Sequence, residues 1–197
     1  MENQKYSASL TGEPLQFFES KVVAQFLTKR LSFEEIKSKI YDENLFNYKT
    51  KKSVFKRVAS VYRRLKNLDP FLIELVAEAS SADARVVVLY SIMRTNRLFY
   101  EFMTEVVRIK FLQMDYLIST KDLNRFFEGK KEQSQEITHL HEYTIHKLEQ
   151  VLLKILKETS LLSEESPPML QRIIISNNLR EFFLKNNEKI FLECIGD

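Results

Sequence analysis

The sequence predicts an all-α, compact multi-helix fold with helix-turn-helix or winged-helix-like units at both ends and a small β wing near the C-terminus. Only three of the 197 residues are glycine and four are proline, which leaves little material for hairpin-rich sheets or flexible linkers. Apolar residues make up 44% of the chain and charged residues 29%, as is typical of globular proteins. Apolar residues also recur at helical spacing along most of the chain.

The N-terminal part of the chain predicts three helices in succession. Pro14 suits the first turn of a helix, because the amide hydrogen that it lacks is not needed there. Ser32 and Glu35 have the spacing of a capping box, in which each side chain bonds the other residue's backbone amide. Asp69-Pro70 stops the third helix. We expect these helices at about residues 14–30, 32–44 and 50–68.

The rest of the chain predicts further helices, followed by a polar turn between β-prone segments. Ser80-Ser81 is expected to separate two helices. Residues 128–136 contain a glycine and no apolar side chain, which predicts an exposed loop. Residues 161–162 and 173–175 flank the polar turn and predict the strands of the wing. The expected helices lie at about residues 70–79, 81–95, 96–114, 120–127 and 138–158.

The order of these elements divides the chain into three segments that pack as one unit. Residues 1–69 are expected to form a helix-turn-helix-like subdomain, residues 70–116 a central helical layer, and residues 117–197 a winged-helix-like subdomain. The two ends share an outline of short helix, loop and longer helix.

Cysteine content and hydropathy indicate the compartment. Cys194 is the only cysteine, so the chain forms no internal disulfide and no cysteine-based zinc site, which fits a reducing compartment. The longest apolar run, residues 86–90, is far too short to span a bilayer, and the first residues lack the apolar stretch of a signal peptide. We therefore expect a cytoplasmic protein without membrane attachment.

Positive charge is concentrated in the N-terminal half. Residues 1–110 hold 19 Lys and Arg against 13 Asp and Glu, whereas residues 111–197 hold 11 against 14. Residues 44–68 contain no acid and eight of the chain's thirty cations. This acid-free segment coincides with the third predicted helix, which makes that helix the strongest functional signal in the sequence.

The third helix is amphipathic, with an apolar stripe opposite a basic one. Lys52, Lys56 and Arg63 lie opposite the apolar side, while Arg57 and Arg64 form a second row at its border. Helix-turn-helix proteins place such a helix in the major groove of double-stranded DNA, which we therefore expect as the partner. The apolar stripe consists of Val54, Val58, Val61 and Leu65.

Two small residues, Ala59 and Ser60, lie between the outward cations and leave room for a polyanion to approach the helix axis. The candidate DNA contacts are Lys49, Lys51, Lys52, Ser53, Lys56, Arg57, Ser60, Arg63, Arg64 and Lys66.

Other interpretations of the basic helix remain open. Its cations could form a solvated face that pairs with acids of the preceding helix, at positions 34, 35, 42 and 43. A membrane surface or RNA could also attract it, although the exposed aromatic platform that binds single strands is missing. In a further alternative, the protein is an assembly adaptor whose basic helix docks an acidic surface of a partner protein.

The C-terminal half offers weaker candidates. Thr144 and Lys147 lie near the start of the long helix and could make a secondary DNA contact, although neighbouring acids would oppose a phosphate backbone. His139, His141 and His146 cluster nearby, but none of the three pairs has the i, i+4 separation with which two imidazoles hold one ion. We therefore expect no functional metal.

No catalytic motif is present. The sequence lacks a glycine-rich phosphate loop, a nucleophile elbow, zinc-binding spacing and a dinucleotide fingerprint. Carboxylate pairs such as Glu34-Glu35 and Glu164-Glu165 lie at a helix start and in a turn, where capping or solvation explains them. We expect a protein without enzymatic activity, cofactor or small-molecule substrate.

A diffuse set of apolar and polar positions along nearly the whole chain has a characteristic order. The set comprises residues 6–11, Arg63-Arg64-Leu65, Phe102, Val106-Val107, Leu117, Asp122, Phe126, Thr144, Lys147, Leu148, Ile155, Leu156, Leu161 and Leu162. With these residues the chain resembles the BrxA family, the small accessory proteins of bacteriophage exclusion (BREX) defence systems.

This resemblance implies an all-helical fold with winged-helix-like features, binding of double-stranded DNA, no known catalysis, and action beside methyltransferase, ATPase and phosphatase-like defence partners. In one departure, Thr159-Ser160 stands where a glycine is expected to end the long helix, which affects the expected geometry of the wing.

Overall fold

The computed structural model describes residues 4–78 and 82–197, which are mostly helical. The chain forms two compact units. The basic unit is Leu15–Thr95, and the C-terminal unit combines Asn96–Asp197 with the residues up to Pro14. The basic unit holds 15 Lys and Arg against 9 Asp and Glu, whereas the C-terminal unit holds 15 against 18. The structure thus places positive charge on one unit.

This division differs from the three segments expected from the sequence. The two helices from Pro70 to Thr95 pack on the first and third helices and belong to the same unit, and residues 96–116 belong with the C-terminal part. The N-terminal residues up to Pro14 join the C-terminal unit, where a 3₁₀ turn, Ser9–Gly12, packs on the long helix. Sequence order does not show such long-range packing.

The structure describes five helices in the basic unit. α5 is its centre, because every side chain from Val86 to Met93 is buried. α1 packs on α3, α4 and α5, and α3 also packs on α2. The bounds are α1 Phe17–Thr28, α2 Phe33–Asp42, α3 Lys51–Leu65, α4 Pro70–Glu78 and α5 Ala82–Thr95.

Local sequence signals set several helix ends correctly. The Ser32 amide donates to Glu35 Oε2 at 2.8 Å and the Glu35 amide donates to Ser32 Oγ, so the predicted capping box is confirmed. Pro70 is the first residue of α4. Pro14 does not lie in the first turn of α1, since this helix begins only at Phe17, after buried Gln16, which has a left-handed backbone conformation (φ 57°) at the N-cap position. The predicted break at Ser80-Ser81 lies outside the described residues.

The C-terminal unit contains the remaining helices. α6, a π-helical turn at Met103–Val107 and α7 follow one another without a break. α12 packs on the π turn and on α7. The bounds are α6 Arg97–Phe102, α7 Arg108–Leu112, α8 Thr120–Gln133, α9 Gln135–Thr138, α10 Glu142–Glu158, α11 Asn177–Lys185 and α12 Lys189–Cys194.

The prediction of an exposed loop at residues 128–136 is wrong, because α8 continues to Gln133. Lys130 is the reason: its side chain is only 2% exposed, and its ammonium pairs with Glu101 at 2.8 Å and with Glu105 at 2.7 Å. Lys130 thus occupies a core position on the face that Phe126 begins. A hydropathy pattern that treats every lysine as exposed therefore does not predict the last turns of α8.

The small β wing is not confirmed. Among the described residues, β pairing is limited to two isolated antiparallel bridges, Leu162 with Leu170 and Leu117 with Met169. The Ile173 amide donates to the Ile195 carbonyl, near the C-terminus, rather than to a neighbouring strand. The pairing therefore ends before the β-prone isoleucines.

Ser160 occupies the position where a glycine was expected, and its backbone is left-handed (φ 62°). The Leu161 amide donates to the Leu156 carbonyl at 2.8 Å, and the Ser160 amide donates to the Lys157 carbonyl at 2.9 Å. These two bonds form a Schellman motif after α10. The expected chain reversal is present although serine replaces glycine.

We expect Ser160→Gly to stabilise the protein by about 1 kcal/mol, because glycine adopts a left-handed conformation without the steric cost of a Cβ. The midpoint of thermal unfolding should rise by about 2–4 °C. Ser38→Gly is the matched control: Ser38 is an exposed residue inside α2, where glycine should lower the midpoint. A lower midpoint for Ser160→Gly would contradict this account of the turn.

Candidate nucleic-acid interface

The inner face of α3 fixes this helix to the basic unit. Val54, Val58, Val61 and Leu65 are all at most 1% exposed, as the predicted apolar stripe requires. Thr50 caps the helix, since its Oγ1 accepts from the Ser53 amide at 3.2 Å. α3 is therefore held both at its start and along its inner side.

The outer face of α3 is basic over its whole length. Lys52, Lys56, Arg63 and Lys66 are exposed, and their spacing places them within about 40° of one line along the helix. We call these four residues the outer stripe. Ala59 is also exposed and lies on the same line. From Lys52 to Lys66 the stripe is about 21 Å long.

Two further exposed lysines flank the outer stripe. Lys49 lies just before α3. Lys51, in the first turn, has its ammonium 4.9 Å from the centre of the Tyr41 ring and 5.3 Å from that of Phe55. These aromatic rings attract the cation and restrict its position.

Three acids of α2 have partners within their own helix or at its start. Glu34 pairs with Lys37 of its own helix at 2.5 Å, Glu35 forms the capping box, and Asp42 accepts from a serine one turn earlier. Pairing of α2 acids with α3 stays an alternative interpretation of the basic face.

The structure corrects part of the predicted contact set. Ser60 is only 2% exposed and Arg64 only 3%, so neither faces solvent as a DNA contact would. Arg64 Nη1 lies 3.4 Å from the Leu15 carbonyl oxygen. Both side chains also lie beside the amide of Gln16, with Ser60 Oγ at 3.4 Å from it. The chain entering α1 covers this side of α3, which a helical wheel of α3 alone does not show.

Arg57 is half-buried and belongs to the same cluster. Its guanidinium contacts the Gln16 amide and lies 5.7 Å from the centre of the Tyr48 ring. The Tyr48 hydroxyl donates to Glu19. The pKa of Tyr48 is raised mainly by burial and also by this hydrogen bond. Arg57 therefore fastens α3 to α1 and to the connection before α3. The sequence predicted Arg57 at the border of the apolar stripe and as a DNA contact, but it did not indicate this contact with Gln16.

The connection between α2 and α3 is longer than a helix-turn-helix turn. It covers residues 43–50, eight residues against the three or four of that motif. Asn44 and Asn47 adopt left-handed conformations in it (φ 48° and 52°), as asparagine tolerates better than most residues. The basic helix is presented without the tight turn of that motif.

Comparison with known proteins identifies the family. The family model for BrxA matches residues 4–187. The chain belongs to the BrxA family. A protein of Bacillus cereus (strain H3081.97) described as "BREX protein BrxA" is 33% identical, over 99% of this chain and 98% of its own length. A protein of Paramagnetospirillum magneticum (strain ATCC 700264 / AMB-1) with the same description is 22% identical, over 99% of this chain and 98% of its own length.

A solved structure shares the fold of this BrxA-family chain. The crystal structure of an uncharacterized protein from Magnetospirillum magneticum superposes with a TM-score of 0.82 and covers 98% of both chains. Its sequence identity is 22%, so this likeness concerns the fold alone. The multi-helix arrangement described above therefore has an experimental counterpart.

The secondary candidates lie in the C-terminal unit. Thr144 is half-buried in α10, and Lys147 is exposed, with its ammonium 5.9 Å from the centre of the Tyr143 ring. His146 lies 3.3 Å from Glu149, and His139 Nδ1 lies 2.6 Å from the Gln135 carbonyl oxygen. A second contact at Thr144 and Lys147 stays a prediction.

The described ranges, 4–78 and 82–197, contain no cluster of three or more His, Cys, Asp or Glu side chains arranged to bind a metal ion. Each helix in these ranges is too short or too polar to span a bilayer.

Proposed function

We propose that this chain is a non-enzymatic, cytoplasmic accessory protein of a BREX defence system that binds double-stranded DNA, and that the outer stripe of α3 contacts its phosphates. The observation that carries the proposal is this stripe itself: exposed cations at helical spacing, on a helix whose inner face is buried. The relatives described as BREX proteins supply the biological setting, with other BREX proteins as partners.

The length of the outer stripe and the space along it suit contact with a phosphate backbone. DNA carries one charge per about 1.7 Å of helix axis, so a stripe about 21 Å long meets several phosphates. Exposed Ala59 leaves space between Lys56 and Arg63 for the backbone to come close. In this proposal α3 has the role of a recognition helix, and the bridged turn between Leu162 and Leu170 has that of a rudimentary wing.

The corrected contact set is smaller than the sequence suggested. Ser60 and Arg64 are removed because they are buried, and half-buried Arg57 serves to position α3. The remaining contacts are Lys49, Lys51, Lys52, Ser53, Lys56, Arg63 and Lys66, all of which are exposed.

We expect the affinity for a 20-base-pair duplex to fall steeply with salt. If four to six cations each neutralise a phosphate, log K against log salt should have a slope of about −4 to −5. Fluorescence anisotropy of labelled duplexes with two unrelated sequences, at several salt concentrations, measures the slope and any sequence preference. An affinity independent of salt, or no binding at low salt, would overturn the proposal.

A further inference from the structure

A groove in the C-terminal unit lies between two helical segments and is separate from α3. Its volume is about 320 Å³, and its walls are α8 on one side and the π turn with α7 on the other. Proteins use π-helical turns mostly as local bulges, frequently at functional sites. Here the π turn brings Glu105 to the wall of the groove.

Each end of the groove is closed by a buried lysine and its carboxylates. At one end, Lys130 pairs with Glu105 at 2.7 Å. At the other end, Lys110 pairs with Asp115 at 2.8 Å and with Asp122 at 3.1 Å. From Asp122 to Lys130 along α8 the distance is about 12 Å, which is the length of about four residues of an extended peptide.

The Lys110 end of the groove carries two carboxylates beside one ammonium, with Arg125 of α8 one turn from Asp122 in the same lining. The side chain of Asp115 is 55% exposed. Hydrogen bonding from Lys110 lowers the pKa of Asp115. Burial opposes ionisation of Asp122, but hydrogen bonds from Ser119 and Lys110 outweigh it and lower its pKa as well. Both acids therefore stay charged at neutral pH, and both line the groove.

Gly129 lies in the middle of α8 and lines the groove. A glycine inside a helix costs roughly 0.5–1 kcal/mol relative to alanine. Apart from the two neighbouring residues and the nearby backbone of α8 itself, no heavy atom of the described chain lies within 4 Å of the place where a Cβ would be, so close packing does not require glycine there. The open space above Gly129 is suited to an occupant from outside the chain.

Apolar side chains continue the groove outward. Val106, Ile109 and Phe126 line it, and Ile109 is 37% exposed. Leu112 lies one turn further on the same face of α7 and is 58% exposed. A ligand that reaches from the groove along α7 thus meets apolar surface next to the acidic end.

We propose that this groove binds a short extended segment of a partner protein, with a basic side chain at Asp115 and Asp122 and a small residue above Gly129. The combination of three apolar lining residues, two carboxylates at one end and a length of about four residues fits a peptide. Arg125 of α8 also lines the groove, so a segment with an acidic side chain is the competing ligand. The site does not depend on DNA binding by α3.

The test uses two tetrapeptides, each acetylated and amidated: Leu-Ala-Ala-Arg and Leu-Ala-Ala-Glu. The chain has only three glycines, so the amide signal of Gly129 is easy to assign in a ¹⁵N spectrum, with Gly12 and Gly196 as references. We expect the arginine peptide at millimolar concentration to shift the Gly129 signal selectively. Equal shifts with the glutamate peptide, or no shift with either, would overturn the proposal.

Variants at one position provide the control. Gly129→Leu should fill the groove and abolish binding of a fluorescein-labelled arginine peptide, measured by anisotropy, while Gly129→Ala should keep it. Both variants should be at least as stable as the wild type, because a larger side chain finds open space and a better helix residue replaces glycine. Unchanged peptide binding by a folded Gly129→Leu variant would contradict the assigned site, and duplex binding should be the same in both variants.

Discussion

Replacement of Lys52, Lys56 and Arg63 together by glutamate should abolish duplex binding. Three favourable phosphate contacts become three repulsive ones, and the affinity at about 0.1 M salt should fall by roughly three orders of magnitude. The residues are exposed and glutamate is a good helix former, so the helix content measured by circular dichroism should be unchanged. Anisotropy titration against a 20-base-pair duplex measures the loss.

The matched control reverses the charge at three exposed lysines of the C-terminal unit. Lys154, Lys185 and Lys189 each pair with a glutamate one turn away, and exposed pairs of this kind contribute little stability. Their joint replacement by glutamate changes the net charge by the same amount as the α3 variant. We expect duplex affinity to stay within about threefold of the wild type, since long-range electrostatics are screened at this salt concentration. An equal loss in both variants would show that net charge, not the outer stripe, governs binding.

The same α3 variant distinguishes DNA binding from the alternative role as an assembly adaptor. If the basic helix docks an acidic partner protein, the wild type should not bind the duplex, and the variant should no longer co-purify with other BREX proteins. If the helix binds DNA, the wild type should bind the duplex and the variant should not.

Replacement of Lys130 by methionine should destabilise the C-terminal unit by roughly 3 kcal/mol. Methionine keeps the length of the side chain and its helix propensity but leaves Glu101 and Glu105 without their shared ammonium. Removal of one partner of a buried ion pair costs about 3–5 kcal/mol, and the low end applies because the Glu105 side chain is 49% exposed. Urea unfolding followed by circular dichroism measures the change.

Lys131→Met is the control for this prediction. Lys131 is the next residue of α8 and is partly exposed, so its replacement should change the free energy of unfolding by no more than about 0.5 kcal/mol. Equal stability of the two variants would contradict the role assigned to the Lys130 ion pairs.

The family and the helical class of this protein follow from its sequence, and so do several local details. Ser32 and Glu35 cap α2 as predicted, since a capping box depends on residues only three positions apart. The apolar stripe of α3 is buried as predicted because helical periodicity alone fixes which side chains share a face. The absence of acids around the outer stripe can likewise be read from the local sequence of residues 44–68.

Other features depend on contacts between distant segments, and local patterns do not contain them. Lys130 extends α8 because Glu101 and Glu105, from another helical segment, neutralise it in a buried position. The groove above Gly129 likewise exists only because the π turn and α7 lie opposite α8.

The amino-acid pattern alone shows where the basic helix lies, which of its faces is apolar and which family the chain resembles. Which cations of α3 are available to a ligand becomes visible only in the folded chain, because the residues before α1 cover Ser60 and Arg64 and leave the outer stripe exposed. Helical periodicity is encoded within each turn, whereas the burial of a side chain depends on which distant part of the chain packs against it.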